Sequence, residues 1–155
     1  MEPSHQEILI EIDRIKREHG PGASLLPALH FAQQRRGWLD GATIRLVANA
    51  LGIPEAKARG VATFYSMFRF MPVGRHLIQL CSNVACMVMG AEVLLDFLKK
   101  RYGLEPGGTT QDRRFSLVIM ECIGACGSAP AMLVNNDFHE NLTAESLSEI
   151  LERYR

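Results

Sequence analysis

All four cysteines of the chain fall into two short pairs, Cys81-Ser-Asn-Val-Ala-Cys86 and Cys122-Ile-Gly-Ala-Cys126. A C-x4-C clip and a C-x3-C clip can each bite one side of a soft metal centre. Four thiolates suit an iron–sulfur cluster or a tetrahedral zinc ion. Structural zinc sites tolerate about two to four residues between paired cysteines, so the spacing alone leaves both chemistries open. A disulfide framework fits less well, because the sequence has no C-x-x-C redox pair and reads as a chain from a reducing compartment.

One site requires elements that bring the two clips together, and the sequence around them supplies these. His76 to Leu80 has the pattern of a short strand running straight into Cys81. Phe115 to Met120 is almost wholly apolar, as in a strand covered on both faces, and runs into Cys122. Between them, Ala91 to Arg101 reads as a helix with Val93, Leu94, Phe97 and Leu98 apolar and a basic Lys99-Lys100-Arg101 end. A helix between two strands predicts a parallel pair with a right-handed crossover, so both clips leave the same end of the sheet. Cys86 is expected near the start of the following helix, where backbone N–H groups favour thiolate. Met87, Val88 and Met89 are expected to keep water from it. Ala131 to Val134, the Asn135-Asn136-Asp137 turn and Phe138 to Glu140 predict a hairpin. Thr143 is expected to cap a last helix with Leu147, Ile150, Leu151 and Tyr154 on one face.

The first part of the chain reads as helical hairpins. Ile8, Ile12 and Ile15 recur at helical spacing after Ser4, a candidate cap, and Gly20-Pro21-Gly22 is a stop. Leu25, Leu26, Leu29 and Ala32 predict a second helix. Asp40 predicts the cap of a third, with Ile44, Val47, Ala48 and Leu51 inward and Gly52 closing it. Pro54 opens a fourth, which carries Val61, Tyr65 and Phe68. The expected fold is therefore α+β: an N-terminal helical bundle over residues 1–70, then a thioredoxin-like β-α-β-β-β-α domain over 71–155 with a four-stranded mixed sheet.

The bulk properties narrow the functions. At 155 residues the chain is long enough for one ordinary domain or two small ones. Lys and Arg equal Asp and Glu at 17 each, which argues against nucleic acid or a polybasic membrane surface as the main partner. No apolar run reaches the ~20 residues needed to span a bilayer. The first residues show neither a basic n-region nor an uncharged h-region, so no signal peptide and a cytoplasmic location are expected.

Beyond the cysteines, a wider set of motifs carries a family resemblance. Gly37-Trp38, Leu51-Gly52-Ile53-Pro54, Gly60-Val61-Ala62-Thr63-Phe64-Tyr65-Ser66, Pro72-Val73-Gly74-Arg75-His76 and Cys122-x3-Cys126-Gly127 with Ala129-Pro130 span essentially the whole chain. Together they resemble the thioredoxin-like 2Fe-2S ferredoxins, specifically the small E subunits of NADH–quinone oxidoreductases. Related subunits occur in NAD-linked formate dehydrogenases and hydrogenases. The resemblance implies one 2Fe-2S cluster, with Cys81 and Cys86 on one iron and Cys122 and Cys126 on the other. It implies FMN and NADH on a partner flavoprotein subunit, no substrate turnover by this chain alone, and a peripheral place in a larger oxidoreductase complex without membrane insertion. It also implies that the helical domain contacts the flavoprotein, and a homodimer of the isolated chain is a further possibility. The competing reading is a structural zinc module that docks subunits. His76 and His30 are read as packing or surface residues, and the Phe64-Tyr65, Phe68 and Phe70 group mainly as packing between domain and sheet, with a partner-docking patch as the alternative. Pro130 occupies the position where thioredoxin-like folds often keep a cis proline.

Overall fold

The computed structural model describes residues 5–20 and 22–155; the Ser4 cap and Pro21 lie outside them. The chain falls into two compact units, Met1–Pro72 and Val73–Arg155.

The first unit contains α1 (His5–His19), α2 (Leu25–Arg36), α3 (Gly41–Leu51) and α4 (Glu55–Phe64). Their apolar stripes meet in one core that includes Ile8, Ile12, Leu29, Ile44, Val47 and Phe68. The expected punctuation is in place. Asp40 caps α3 by accepting the Thr43 N–H at 2.6 Å, and Gly52 ends it at φ 68°, a left-handed value that a residue with a Cβ rarely takes. Pro54 stands just before α4 as its N-cap, not inside its first turn. The inward face of α4 differs from the expectation. Its buried residues are Ala58 and Ala62, with Val61 partly buried against the same core, and α4 stops at Phe64. Tyr65 and Phe68 therefore belong to the segment that follows.

That segment is fastened by a buried polar side chain, Gln33 on α2. The Gln33 amide donates to the Met67 carbonyl at 2.9 Å and accepts the Arg69 N–H at 2.7 Å. The Leu39 N–H donates to the Arg69 carbonyl at 2.7 Å. Phe68 turns inward to the core, so the backbone from Tyr65 to Arg69 is held from several directions.

The second unit runs β1 (His76–Cys81), α5 (Val84–Val88), α6 (Ala91–Tyr102), β2 (Phe115–Met120), β3 (Met132–Val134), β4 (Asp137–His139) and α7 (Ala144–Arg153), with a single 3-10 turn at Cys126–Ser128. The sheet order is β2-β1-β3-β4. β1 and β2 are parallel, as the crossover requires, and β3 and β4 join antiparallel. β3 and β4 each differ by one residue from the expected bounds, and α6 reaches Tyr102. Ile78, Leu80, Leu98 and Leu117 form the centre of the core, with Leu147 and Leu151 of α7 over them. Of the expected apolar face of α6, Leu94 and Leu98 are buried while Val93 is exposed.

Gly74, just ahead of β1, donates to the Ser116 hydroxyl at 2.7 Å. A Cβ at this position would meet the Phe115 carbonyl carbon at 2.9 Å and the Arg113 oxygen at 3.0 Å. Only glycine lets the backbone come this close to β2. Thr143 and Ser146 form a reciprocal capping box at the start of α7. At its other end, Arg114 donates to the carbonyls of Tyr154 and Leu151, satisfying oxygens that a helix end leaves unpaired.

Candidate metal centre

The register of the parallel pair puts Cys81 beside Met120. Cys81 is the last residue of β1, and the second clip begins just beyond the end of β2. The Ser82 N–H donates to the Met120 carbonyl at 2.9 Å, closing the two strand ends together, and the Cys81 N–H donates to the Ala131 carbonyl at 3.1 Å. Both clips and the Pro130–Ala131 turn therefore meet at one end of the sheet. The Ala129–Pro130 peptide is cis, in the expected place.

Cys86 departs from the expectation. It does not open the long helix but sits inside α5, a separate helix of five residues, with Gly90 at φ 104° between α5 and α6. In α5, Val84 and Val88 share the face opposite Cys86 by helical spacing. They are exposed, as is Met89, so only Met87 of the expected shielding trio packs near the thiols. Cys81 and Cys86 are 2% and 1% exposed and share a small apolar cluster with Ala91 and Ala129, against which Met87 and Ile123 pack.

The sulfurs are differently supported. Burial opposes ionisation of Cys81, but the Asn83 N–H, the Cys86 thiol and the Ile123 N–H all stabilise its thiolate, and the balance lies below the ordinary thiol value. Burial pushes the Cys86 thiol up, with its hydrogen bond to Cys81 and the nearby charges of Cys81 and Cys126 acting the same way, against the Ala131 N–H. The thiolate support expected at Cys86 is therefore not found, since burial pushes its thiol up. Cys122 and Cys126 are exposed, and Gly124, at φ 79°, donates its N–H to the Cys122 sulfur at 3.4 Å.

The structure brings Cys81 and Cys86 into direct contact and puts Cys126 within electrostatic reach. Cys122 lies on its own open loop. Among the described residues, no three His, Cys, Asp or Glu side chains are grouped closely enough, as placed, to hold a metal ion. The donor set nonetheless fits a soft iron–sulfur group: every candidate ligand is a thiol, and the Gly124 N–H inside the second clip donates to the Cys122 sulfur.

The other candidates have structural roles. His76 packs against Phe115 and Tyr154 and contacts the Asn135 amide at 3.2 Å. His30 is exposed. Lys99, Lys100 and Arg101 form exposed ion pairs with Glu105, Asp96 and Glu152, the solvated helix end that was expected. The functional detail invisible in the sequence is the Gly124 N–H that donates to the Cys122 sulfur. A backbone donor carries no residue-type signal.

A β-α-β unit with thiols at the level ends of its parallel strands, followed by a hairpin and a helix, defines a thioredoxin-like domain with a soft-metal face. The family model for thioredoxin-like 2Fe-2S ferredoxins matches residues 12–155, and the chain belongs to that family. It is 42% identical over 135 residues to the E subunit of the NADH-quinone oxidoreductase of Escherichia coli (strain K12), covering 87% of this chain and 81% of that protein. It is 43% identical over 133 residues to the E 2 subunit of the NADH-quinone oxidoreductase of Rhizobium meliloti (strain 1021), covering 86% and 79%. Among solved structures, an air-oxidized NAD+-reducing NiFe hydrogenase superposes with a TM-score of 0.73 at 28% identity. The match covers 84% of this chain but only 22% of that one.

Proposed function

We propose that Cys81, Cys86, Cys122 and Cys126 hold one 2Fe-2S cluster, the first pair on one iron and the second on the other. On this reading the chain is the electron-transfer subunit of an NADH-oxidising assembly of the NADH–quinone oxidoreductase type. The observation that carries it is the joining of the two strand ends that lead into the clips: the Ser82 N–H, next to Cys81, donates to the Met120 carbonyl at 2.9 Å, and Ile123, inside the second clip, packs against the cluster that holds Cys81 and Cys86. On this reading two cysteine pairs far apart in sequence serve one site.

A bound 2Fe-2S centre takes up and releases single electrons. The thiolates of this chain would supply its ligands. The N–H groups of Asn83, Ile123, Gly124 and Ala131 offset the negative charge of the sulfurs, and such donors tune a reduction potential. Met87 and Ile123 keep one side dry. The sequence contains no strand–G-x-G-x-x-G–helix motif. NAD and FMN are accordingly assigned to a flavoprotein partner, with which this chain exchanges one electron at a time. Among the described residues no helix is long and apolar enough to cross a membrane; on the same reading the chain has a peripheral place in the assembly on the cytoplasmic side.

Anaerobic purification should give a reddish-brown chain with iron and acid-labile sulfide in equal amounts and an EPR signal on reduction. Cys126→Ser should lose most of the colour. NADH should bleach the chain only when the flavoprotein is added. A colourless protein with stoichiometric zinc would reject this reading in favour of a structural docking module. The hydrogenase match supports a second parent assembly, an NAD-linked hydrogenase; the genes beside this one distinguish the two.

A further inference from the structure

The longest run of exposed apolar side chains follows α4. Phe64 is 80% exposed and Met71 73%, with Tyr65, Met67 and Phe70 also open to solvent. These side chains stand on a backbone already fixed: Gln33 binds both Met67 and Arg69, and Phe68 alone turns into the core. Phe64 and Tyr65 pack edge to face at 5.1 Å. A surface held in one shape before association loses little conformational entropy on binding. Of this group Phe68 alone is buried, and it packs in the core of the first unit.

Arg69 stands in the middle of the run. Its backbone is hydrogen-bonded on both sides, but its half-buried guanidinium has no hydrogen-bond or ion-pair partner among the described residues. Desolvation alone acts on it and lowers its pKa from the ordinary arginine value. A guanidinium partly out of water without an anion is costly, and a carboxylate from outside would relieve it. The chain itself offers none nearby in sequence. From Ala56 to Ala91 there is no Asp or Glu, and the charged residues are Lys57, Arg59, Arg69 and Arg75, in a protein of zero net charge. A second copy placed face to face would set Arg69 against the same acid-free segment. Aromatic residues, methionine and arginine are the types enriched at the centres of protein interfaces.

We propose that the segment Phe64–Met71 is a docking surface for an acidic, apolar face of the flavoprotein partner, with Arg69 pairing a partner carboxylate inside a ring of apolar contacts. This rests on the proposed place of the chain beside a flavoprotein and adds the surface and the chemistry of the contact. Phe64, Tyr65, Phe70 and Met71 supply the buried area. Arg69 supplies orientation, because its planar fork fits a carboxylate two bonds at a time.

The test measures the affinity of the full, cluster-loaded chain for its co-encoded NADH-binding flavoprotein by calorimetry. Arg69→Glu and Phe70→Ser should each weaken binding by about 30-fold or more, the size of an interface hot spot. Arg69→Lys should keep part of it. All three should keep the visible spectrum and melting temperature of the unsubstituted chain. A photo-reactive phenylalanine analogue in place of Phe64 should cross-link to an Asp- or Glu-bearing peptide of the flavoprotein. Unchanged affinity in both Arg69→Glu and Phe70→Ser would overturn the surface while leaving the proposed function intact. So would loss of a homodimer in these variants with flavoprotein binding unaffected, which would make a second copy the occupant. An unsubstituted chain that binds no flavoprotein would overturn this surface and the proposed function together.

Discussion

Cys81 and Met120 stand opposite each other as the last residues of two parallel strands. That pairing sets how far the second clip lies from the first. The distance is fixed by sheet hydrogen bonds and not by the loops that carry the thiols.

Moving the second clip without touching the sheet should therefore disable the site selectively. One glycine inserted between Glu121 and Cys122 lies beyond β2 and costs little in loop closure. The expected result is loss of most bound iron, with thermal unfolding of the metal-free chain almost unchanged. Full iron content in this variant would show that the loops, not the strand register, place the ligands.

The approach of Gly74 to β2 leaves no room for a side chain. Gly74→Ala puts a methyl group against backbone atoms of Phe115 and Arg113, which cannot rotate away. The expected cost is about 1–3 kcal/mol, as for overpacked cores, read as a lower urea midpoint. A midpoint equal to that of the unsubstituted chain would mean that the strand yields.

The last helix is tied to β4 through a relay of three side chains. Tyr154 donates to the Asp137 carboxylate at 2.7 Å, so the His139 ring nitrogen, 3.0 Å away, donates to the phenol oxygen. Burial holds His139 below its ordinary pKa, against Asp137 and with help from Arg153. Folding thus favours neutral His139. This contribution is complete above the ordinary histidine value of about 6.5 and is lost as the pH falls below it. Burial and Asp137 push Tyr154 up to about 12. Its contribution is complete below the ordinary phenol value of about 10 and is lost as the pH rises toward 12. Melting temperature against pH should fall on both sides of this window. Tyr154→Phe should flatten the alkaline side only; an unaltered alkaline limb would remove Tyr154 from the account.

Gln33→Ala deprives the Met67 carbonyl and the Arg69 N–H of their partner inside the first unit. Each buried group left unpaired costs about 1–3 kcal/mol. Hydrogen exchange at the Arg69 amide should accelerate well before the helices open. If its protection is unchanged, Gln33 is not what holds the segment.

The sequence was most informative where one residue type serves one physical task. The caps at Asp40 and Thr143, the left-handed Gly52 and the apolar run of β2 were all readable, because propensity and burial agree there. The end of α4 was not. Apolar residues continue at helical spacing through Phe68, and no glycine or proline intervenes before Pro72 to mark the stop. α5 was missed because five residues hold too little periodicity to register. Gln33 was missed because a glutamine reads as surface; its burial depends on backbone groups more than thirty positions away. The cysteine pairs stood out at once, but a backbone donor such as the Gly124 N–H on the Cys122 sulfur leaves no trace in residue type.

The unequal exposure of the two clips has a consequence for handling the protein. In the unassembled chain, peroxide and chelators meet Cys122 and Cys126 first, while Cys81 and Cys86 stay under cover. If the four thiols hold the proposed cluster, damage should begin at the Cys122 and Cys126 side and leave the inner thiols intact, so that reconstitution with iron and sulfide restores a bleached preparation for as long as the outer pair can still be reduced.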